Sequence, residues 1–334
     1  MRRIPALDGL RAVSILIVTL AHLRKLVVSP AIYAFLMTLS PAGVDVFFVI
    51  SGYLITTLLL RELEGTGAIS IVGFYRRRLL RITPAYLFFL ATAAAMAALG
   101  FARVDPRAWP YLLSYTYNLV PGLGQDTVGH VWSLCVEEHF YLIWPAALIF
   151  LGRRGAGLVL AGVIAVAATL RFVLPWAAPA IDPEFFSPTR LDTIAIGCLL
   201  AFVEPKLGPD RARGWPWALL GALIFFGSIF GLSRFGKYEL GPKAMVEALS
   251  IALVIHALVQ RPADPVTRLL EHPALRLIGR MSYSLYLAQP AFFGLELLAP
   301  PLWTRPFLLV GYATLSYTLI EKPFLRMKDR HPRS

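Results

Sequence analysis

Long apolar segments recur along this chain, and they constrain its fold more than any other feature. Hydrophobic residues make up 57% of the 334 positions, whereas charged residues make up only 16%. A segment of about 20 apolar residues is long enough to cross the hydrocarbon core of a bilayer as an α-helix. Because a helix satisfies its backbone hydrogen bonds internally, such repeated segments predict an all-α polytopic membrane helix bundle. We predict about ten transmembrane helices, at 7–27, 42–60, 84–101, 131–151, 155–175, 188–204, 215–233, 244–260, 282–299 and 303–321.

The distribution of basic residues predicts the orientation of this bundle. With ten spans and a cytoplasmic N-terminus, 21 of the 32 Lys and Arg residues fall in cytoplasmic segments. An excess of Lys and Arg in cytoplasmic loops is typical of multi-pass membrane proteins, so we expect both termini to be cytoplasmic. The net charge of +12 then requires no nucleic-acid partner. Because the connections are short, residues 1–334 are predicted to form a single integral-membrane domain without a separate soluble domain.

The first span carries polar residues that a simple membrane anchor would not need. Arg11 and His22 are eleven residues apart, or about three helical turns, so they share one face and lie roughly 16 Å apart along the axis. Ionisable groups inside a bilayer are costly and indicate a functional site by default. A neutral imidazole can take a proton from a hydroxyl group, which makes His22 a candidate general base. A histidine that only hydrogen-bonds within the bundle is the structural alternative.

Other polar residues are predicted to lie at the same outer level as this histidine. Glu137 belongs to the fourth span, Asp45 to the second, and Arg190 and Asp192 to the start of the sixth. An intramembrane carboxylate needs a partner, so these residues form either a catalytic cluster or structural ion pairs. Trp132, near the outer face, is a candidate for stacking on a sugar, although an interfacial aromatic belt explains it equally well.

A cluster of arginines marks the opposite, cytoplasmic side, in a segment predicted to be an interfacial helix before the third span. On a helix, Arg78 and Arg81 are spaced i,i+3, and Arg77 and Arg81 i,i+4. Guanidinium groups so clustered can bind phosphate bidentately, although positive-inside topology alone would also place arginines here. The two cysteines, Cys135 and Cys198, fall within predicted spans without metal-ligand spacing, so no metal site is predicted.

Several motifs follow one another in an order that resembles a known family. They are ALDGLRAVSILIVTLAH, GVDVFFVISGYLI, FYRRRLLRITPAY, HVWSLCVEEHFYLIWP, TRLDTIAIGCLLA, MSYSLYLAQP and SYTLIEKPF. Each motif alone is a weak signal, but the ordered set is specific and covers nearly the whole chain. On these motifs the chain resembles the acyltransferase-3 family of multi-pass membrane O-acyltransferases.

The resemblance implies an enzyme of the bacterial cytoplasmic membrane. Such an enzyme moves an acyl group, commonly acetyl, from cytoplasmic acyl-CoA to a hydroxyl of an extracytoplasmic or membrane-presented acceptor, usually a carbohydrate of the cell envelope. The resemblance identifies His22 as the essential histidine and Arg11 as its companion, and it places Arg78 and Arg81 near the CoA. Glu137 and Glu321 match acidic positions of the family.

One position departs from the family pattern. Where the family often has a histidine after SYSLYL, this chain has Gln289, which hydrogen-bonds but cannot take a proton at neutral pH. The departure places more weight on His22 and makes Gln289 a candidate contact of the substrate. The chain is also expected to lack the extracytoplasmic esterase-like domain of some relatives, because it ends at Ser334.

Two other functions remain open at this stage. A transporter of a proton or small polar solute would use similar buried groups, although inverted repeats are not evident. A sensor that has lost activity is the second alternative. Whether His22 acts as a base or carries the acyl group is also open. The predicted site comprises His22, Glu137 and Asp45 for catalysis, Arg11, Arg77, Arg78 and Arg81 for acyl-CoA, and Trp132, Arg190, Asp192 and Gln289 for the acceptor.

Overall fold

The protein is an all-helical bundle throughout the part of the chain that the structure describes. This computed structural model describes residues 4–22, 29–123, 127–207, 214–231, 240–260, 264–293 and 301–329, and within these ranges it has no strand. The helices are α1 (Pro5–His22), α2 (Pro30–Thr66), α3 (Ile71–Ala98), α4 (Trp109–Leu113), α5 (Trp132–Ala177), α6 (Ser187–Leu207), α7 (Gly214–Gly231), α8 (Leu240–Gln260), α9 (Pro265–Leu270), α10 (Pro273–Phe293), α11 (Arg305–Leu315) and α12 (Lys322–Asp329).

Five helical segments in these described ranges are long and apolar enough to cross a membrane. They are Pro5–His22, Pro30–Thr66, Ile71–Ala98, Gly129–Ala177 and Lys243–Gln260. The predicted class of all-α membrane protein is therefore confirmed. The ends of the predicted spans at 23–27, 232–233 and 294–299 lie outside the described residues, as do the first three and last five residues of the chain.

Helix α5 contains a break between two of the predicted spans. Gly152 has φ +61° and ψ −176°, which interrupts the helix between 132–151 and 153–177. Glycine adopts such a positive φ readily because it has no Cβ. The break lies between the predicted spans 131–151 and 155–175.

The largest differences from the predicted boundaries are at the starts of α2 and α3, and α10 also begins before its predicted span, at Pro273. Helix α2 begins at Pro30, twelve residues before the predicted start of the second span, and contains Pro41 within it. Helix α3 is continuous through Pro84, so the predicted interfacial helix and third span are one element. The predicted third span begins at Pro84, because the first turn of a helix tolerates proline. In a membrane bundle, however, neighbouring helices and local adjustments compensate for the hydrogen bond that an internal proline removes.

Glycines allow the backbones of sequence-distant helices to meet. A Cβ added at Gly279 of α10 would lie 1.8 Å from the carbonyl oxygen of Asp8 in α1. A Cβ added at Gly52 of α2 would lie 2.0 Å from the carbonyl oxygen of Ile194 in α6. Small residues are typical of such close contacts between membrane helices. These contacts hold α1 against α10 and α2 against α6, and thereby set the positions of the side chains between them.

We predict that Gly279→Val destabilises the bundle by about 1–3 kcal/mol, because the added side chain overlaps the backbone of α1. Thermal unfolding of the purified protein in detergent measures this as a lower midpoint. Gly311→Val is the matched control, since a Cβ at Gly311 meets no atom within 4 Å. Equal midpoints for the two variants would contradict this packing.

Candidate active site

A cavity lies between α1, α2, α3, α5 and α10. It has about 740 Å³ of empty volume, including its open mouth. The five lining residues with a carboxyl or guanidinium group are Arg11, Arg78, Arg81, Glu137 and Glu138. Serine hydroxyls and aromatic rings cover much of the remaining wall. The sequence prediction named four of these five residues, and the structure brings those four together.

Positive charge dominates the cavity. The Arg78 guanidinium lies 4.8 Å from the centre of the Tyr141 ring, so it is held in place by a cation–π contact. The charges of Arg11 and Arg81 act on each other, and the Nε of Arg11 is buried without a hydrogen-bond partner among the described residues. Three guanidinium groups so close together repel one another, and they suit a bound anion that accepts several hydrogen bonds.

Glu137 provides a negative group opposite these arginines. Its Oε1 accepts a hydrogen bond from the Ser51 hydroxyl at 2.8 Å, and its charge interacts with those of Arg11 and Arg78. Glu138 also lines the cavity, and its Oε1 is buried with no partner in the described part of the chain. The prediction did not name Glu138, because two adjacent helical residues point about 100° apart. The cavity is wide enough for both carboxylates to reach it.

Glu321 is not among the residues that line the cavity, but its charge interacts with that of the lining residue Arg81. It lies at the end of a π-helical segment, Ser316–Glu321, which connects α11 to α12. Its Oε2 accepts a hydrogen bond from the Ser284 hydroxyl at 3.0 Å, and its charge interacts with that of Arg81. Insertions of π-helix are frequent at functional sites. This buried carboxylate is therefore positioned to hold Arg81 in place.

His22 is the last residue of α1 and lies on the same helix face as Arg11. Its Nδ1 lies 2.7 Å from the carbonyl oxygen of Val18. A carbonyl oxygen only accepts hydrogen bonds, so Nδ1 carries the hydrogen and Nε2 of the neutral ring has a free lone pair. The side chain is exposed and is not among the residues that line the cavity. Nε2 of His22 is therefore available as a base at the C-terminal end of α1.

Arg77 differs from its neighbours in the arginine cluster. Its Nη2 lies 2.7 Å from Oε2 of the buried Glu62, and Oε1 of Glu62 accepts a hydrogen bond from the Ser70 backbone at 2.9 Å. This ion pair ties α3 to the end of α2, outside the cavity. The i,i+4 spacing with Arg81 suggested a shared site, but Glu62 binds Arg77 instead.

A second group of buried charges lies beside the cavity. Asp45 forms an ion pair with Arg190, and Asp192 forms one with Arg171, whose Nη1 also donates to a backbone carbonyl. The Arg190 guanidinium lies 5.6 Å from the ring centre of Trp132, which is itself buried. The predicted cluster is therefore divided: Glu137 lines the cavity, whereas Asp45, Arg190 and Asp192 form ion pairs. Arg171 is not among the predicted site residues, and its partner Asp192 comes from another helix.

Tyr286 lines the cavity from α10. Its hydroxyl lies 2.6 Å from the Ser133 hydroxyl and donates to the carbonyl oxygen of His130 at 3.1 Å. Gln289, one turn further along α10, is fully buried, and neither atom of its amide has a partner within the described ranges. Among the described residues, no group of three or more His, Cys, Asp or Glu is arranged to hold a metal ion.

Sequence comparison relates this chain to known proteins. The family model described as "Acyltransferase domain" matches residues 4–320. The chain is 31% identical to "Putative O-acetyltransferase SACOL0978" of Staphylococcus aureus (strain COL), over 97% of this chain and 58% of that protein. It is 30% identical to "O-acetyltransferase OatA" of Staphylococcus aureus (strain NCTC 8325 / PS 47), over 86% of this chain and 50% of that protein.

The chain thus spans little more than half the length of these curated relatives. No solved structure matches it. The family match extends over nearly the whole chain and includes every residue of the cavity. The prediction from the sequence motifs is confirmed, and the chain belongs to the acyltransferase-3 family of membrane acyltransferases.

Proposed function

We propose that this protein transfers an acyl group, acetyl in the first instance, from acyl-CoA to a hydroxyl group of an acceptor. Membership of an acyltransferase family and similarity to proteins named O-acetyltransferases support this reaction. The observation that carries the proposal is the cavity in which Arg11, Arg78 and Arg81 meet.

The proposed arrangement in the membrane has ten spans with both termini in the cytoplasm. The helices α1, α2, α3 and α8, the two segments of α5, and the helices α6, α7, α10 and α11 are compatible with that number. Because cytoplasmic segments are rich in Arg, the end of α3 that carries Arg78 and Arg81 then faces the cytoplasm. The cavity opens towards the compartment that contains acyl-CoA, and His22 lies towards the opposite side. The bacterial cytoplasmic membrane is the proposed location.

We assign donor binding to the arginines of the cavity. The phosphate groups of CoA are anionic, and guanidinium groups bind phosphate bidentately through charge-assisted hydrogen bonds. Arg78 and Arg81 lie at the cytoplasmic end, and Arg11 lies on the face of α1 that continues towards His22. Arg77 is assigned to the α2–α3 connection, since Glu62 binds it. The acyl end of the donor would extend along α1 past Glu137.

We assign proton transfer to His22. Its Nε2 takes the proton from the acceptor hydroxyl while the oxygen attacks the thioester carbonyl carbon. The carbon–sulfur bond then breaks, and the proton passes to the departing CoA thiolate. General-base catalysis of this kind typically contributes about 10²–10⁴-fold to the rate. Glu137 is assigned to stabilise the positive charge of the arginines and of the protonated histidine. Asp45, Arg190 and Asp192 are assigned to the wall beside the cavity, which their ion pairs hold together.

The proposed acceptor is a carbohydrate of the cell envelope, presented at the outer side of the membrane. The exposed position of His22 at the outer end of α1 supports access from that side. Trp132 packs against Phe48 and Phe185 with ring-centre distances of 5.9 and 5.3 Å. We therefore assign Trp132 to the wall behind the acceptor rather than to stacking on a sugar.

Arg78→Ala and Arg81→Ala should each weaken acetyl-CoA binding about 10- to 100-fold, because each removes a charge-assisted hydrogen bond worth about 1.5–3 kcal/mol. Equilibrium binding of labelled acetyl-CoA to the protein in nanodiscs measures the loss. Arg153→Ala serves as the control, since this arginine forms an exposed pair with Glu64. Unchanged affinity in both cavity variants would contradict donor binding here, and absence of saturable binding to the wild type would favour a transporter.

His22→Ala should lower acetyl transfer by about 100-fold or more, because the general base is lost. Acetyl-CoA binding should stay within twofold of the wild type, since the arginines are intact. Acetate released by mild base from the envelope of cells that express each variant measures the transfer. His272→Ala, which removes an exposed histidine between α9 and α10, is the control. Full transfer by the His22→Ala variant would refute the assignment.

A further inference from the structure

His130 is a half-buried residue that the proposed mechanism does not use. It lies in the short 3-10 turn Gly129–Val131 that leads into α5. Its ring contacts those of Phe89 and Tyr286 edge-on, with ring-centre distances of 5.4 and 5.3 Å. Both ring nitrogens are buried, and neither forms a hydrogen bond of good geometry among the residues that the structure describes. The backbone of Leu287 in α10 lies close enough to act on the ring.

Packing does not account for a histidine at this position. A phenylalanine ring would fill the space between Phe89 and Tyr286 equally well and would leave no polar atom unsatisfied. Each buried donor or acceptor without a partner costs about 1–3 kcal/mol, and such atoms in a native protein need an explanation. The two nitrogens of His130 are explained if a ligand binds them.

Gln289 presents a second unsatisfied group on the same side of the cavity. It is fully buried, and neither its amide oxygen nor its amide nitrogen has a partner in the described ranges. It follows Tyr286 by three residues, so the two share a face of α10. The Tyr286 hydroxyl donates to the backbone carbonyl of His130. Tyr286 and Leu287 therefore connect His130 to the part of α10 that carries Gln289.

The packing of α1 against α10 places the His22 ring at the same level. The close contact between Asp8 and Gly279 lies near the N-terminal ends of both helices, so the extensive packing between them requires that they run in the same direction. Val18 and Gln289 each lie ten residues beyond that contact. The His22 ring is bound to the carbonyl of Val18 and therefore lies near the level of Gln289. The imidazole of His22 also interacts electrostatically with that of His130.

We infer that His130 and Gln289 form a neutral polar subsite for the hydroxyl group that receives the acyl group. The inference rests on the proposed transferase activity and names where its acceptor binds. The neutral imidazole and the amide together offer both donors and acceptors without net charge. Within the described ranges, no Asp, Glu, Lys or Arg side chain contributes to the electrostatics of the His130 ring. An uncharged, hydroxyl-rich ligand therefore fits this subsite better than an anion.

The subsite gives the acceptor hydroxyl a defined orientation. N–H groups of His130 and Gln289 donate to the hydroxyl oxygen, which leaves its own hydrogen free to meet Nε2 of His22. His22 then removes the proton from an oxygen that is already held in place. His130 acts as an acceptor-binding residue, and the general base remains His22.

The test uses His130→Phe, which keeps the ring and its packing, together with His130→Asn and Gln289→Leu. Base-labile acetate in the cell envelope measures transfer to the native acceptor, and labelled acetyl-CoA in nanodiscs measures donor binding. We expect His130→Phe and Gln289→Leu to lower transfer about tenfold or more, since each loses a buried hydrogen bond to the acceptor. His130→Asn, which keeps a donor and an acceptor, should retain more transfer than His130→Phe. Donor affinity should stay within twofold throughout.

Three results would overturn this inference. Wild-type transfer by His130→Phe would show that the nitrogens bind nothing needed for the reaction. A parallel loss of donor binding would show that the residue is structural. Equal envelope acetate in cells with and without the wild-type protein would refute the proposed function itself, and the acceptor subsite with it. His272→Phe, at an exposed position, is the control for replacement of a histidine by an aromatic residue.

Discussion

The burial of charge in an apolar bundle is the constraint on which the rest of this structure depends. A charged side chain inside a membrane protein must be paired, solvated by a cavity or bound to a ligand. This protein uses two of these solutions side by side. Asp45 with Arg190 and Asp192 with Arg171 form compact buried pairs. Arg11, Arg78 and Arg81 instead line a cavity with room for an anion.

The difference between the paired and the cavity-lining charges separates scaffold from candidate site. Breaking a buried pair leaves an uncompensated charge and is strongly destabilising, so the paired residues are suited to hold helices together. The Nε atoms of Arg171 and Arg190 have no partner within the described ranges, and neither does the Nε of Arg11. The difference between the two groups is therefore that Arg171 and Arg190 each have a carboxylate partner, whereas Arg11, Arg78 and Arg81 line a cavity. The proposed function extends from this cavity to His22.

Much of this arrangement is visible in the sequence, and the remainder depends on contacts between distant segments. Helical periodicity correctly placed Arg78 and Arg81 on one face, because that geometry is local. The same periodicity could not show that Glu62 binds Arg77, or that Arg190 binds Asp45, since those partners come from other helices. His130 belongs to no periodic pattern. Its signal was its place at the start of the HVWSLCVEE motif, and only the fold shows that its nitrogens are buried without hydrogen bonds of good geometry in the described part of the chain.

The central claim is that one cavity leads the acyl donor from the arginines towards His22. A crystal structure with a non-hydrolysable acetyl-CoA analogue, in which a ketone replaces the thioester, tests it most directly. The account predicts that phosphate groups contact Arg78 and Arg81 and that the ketone extends past Glu137 towards Nε2 of His22. An analogue bound with its phosphates outside the cavity, or with its ketone directed away from α1, would contradict it.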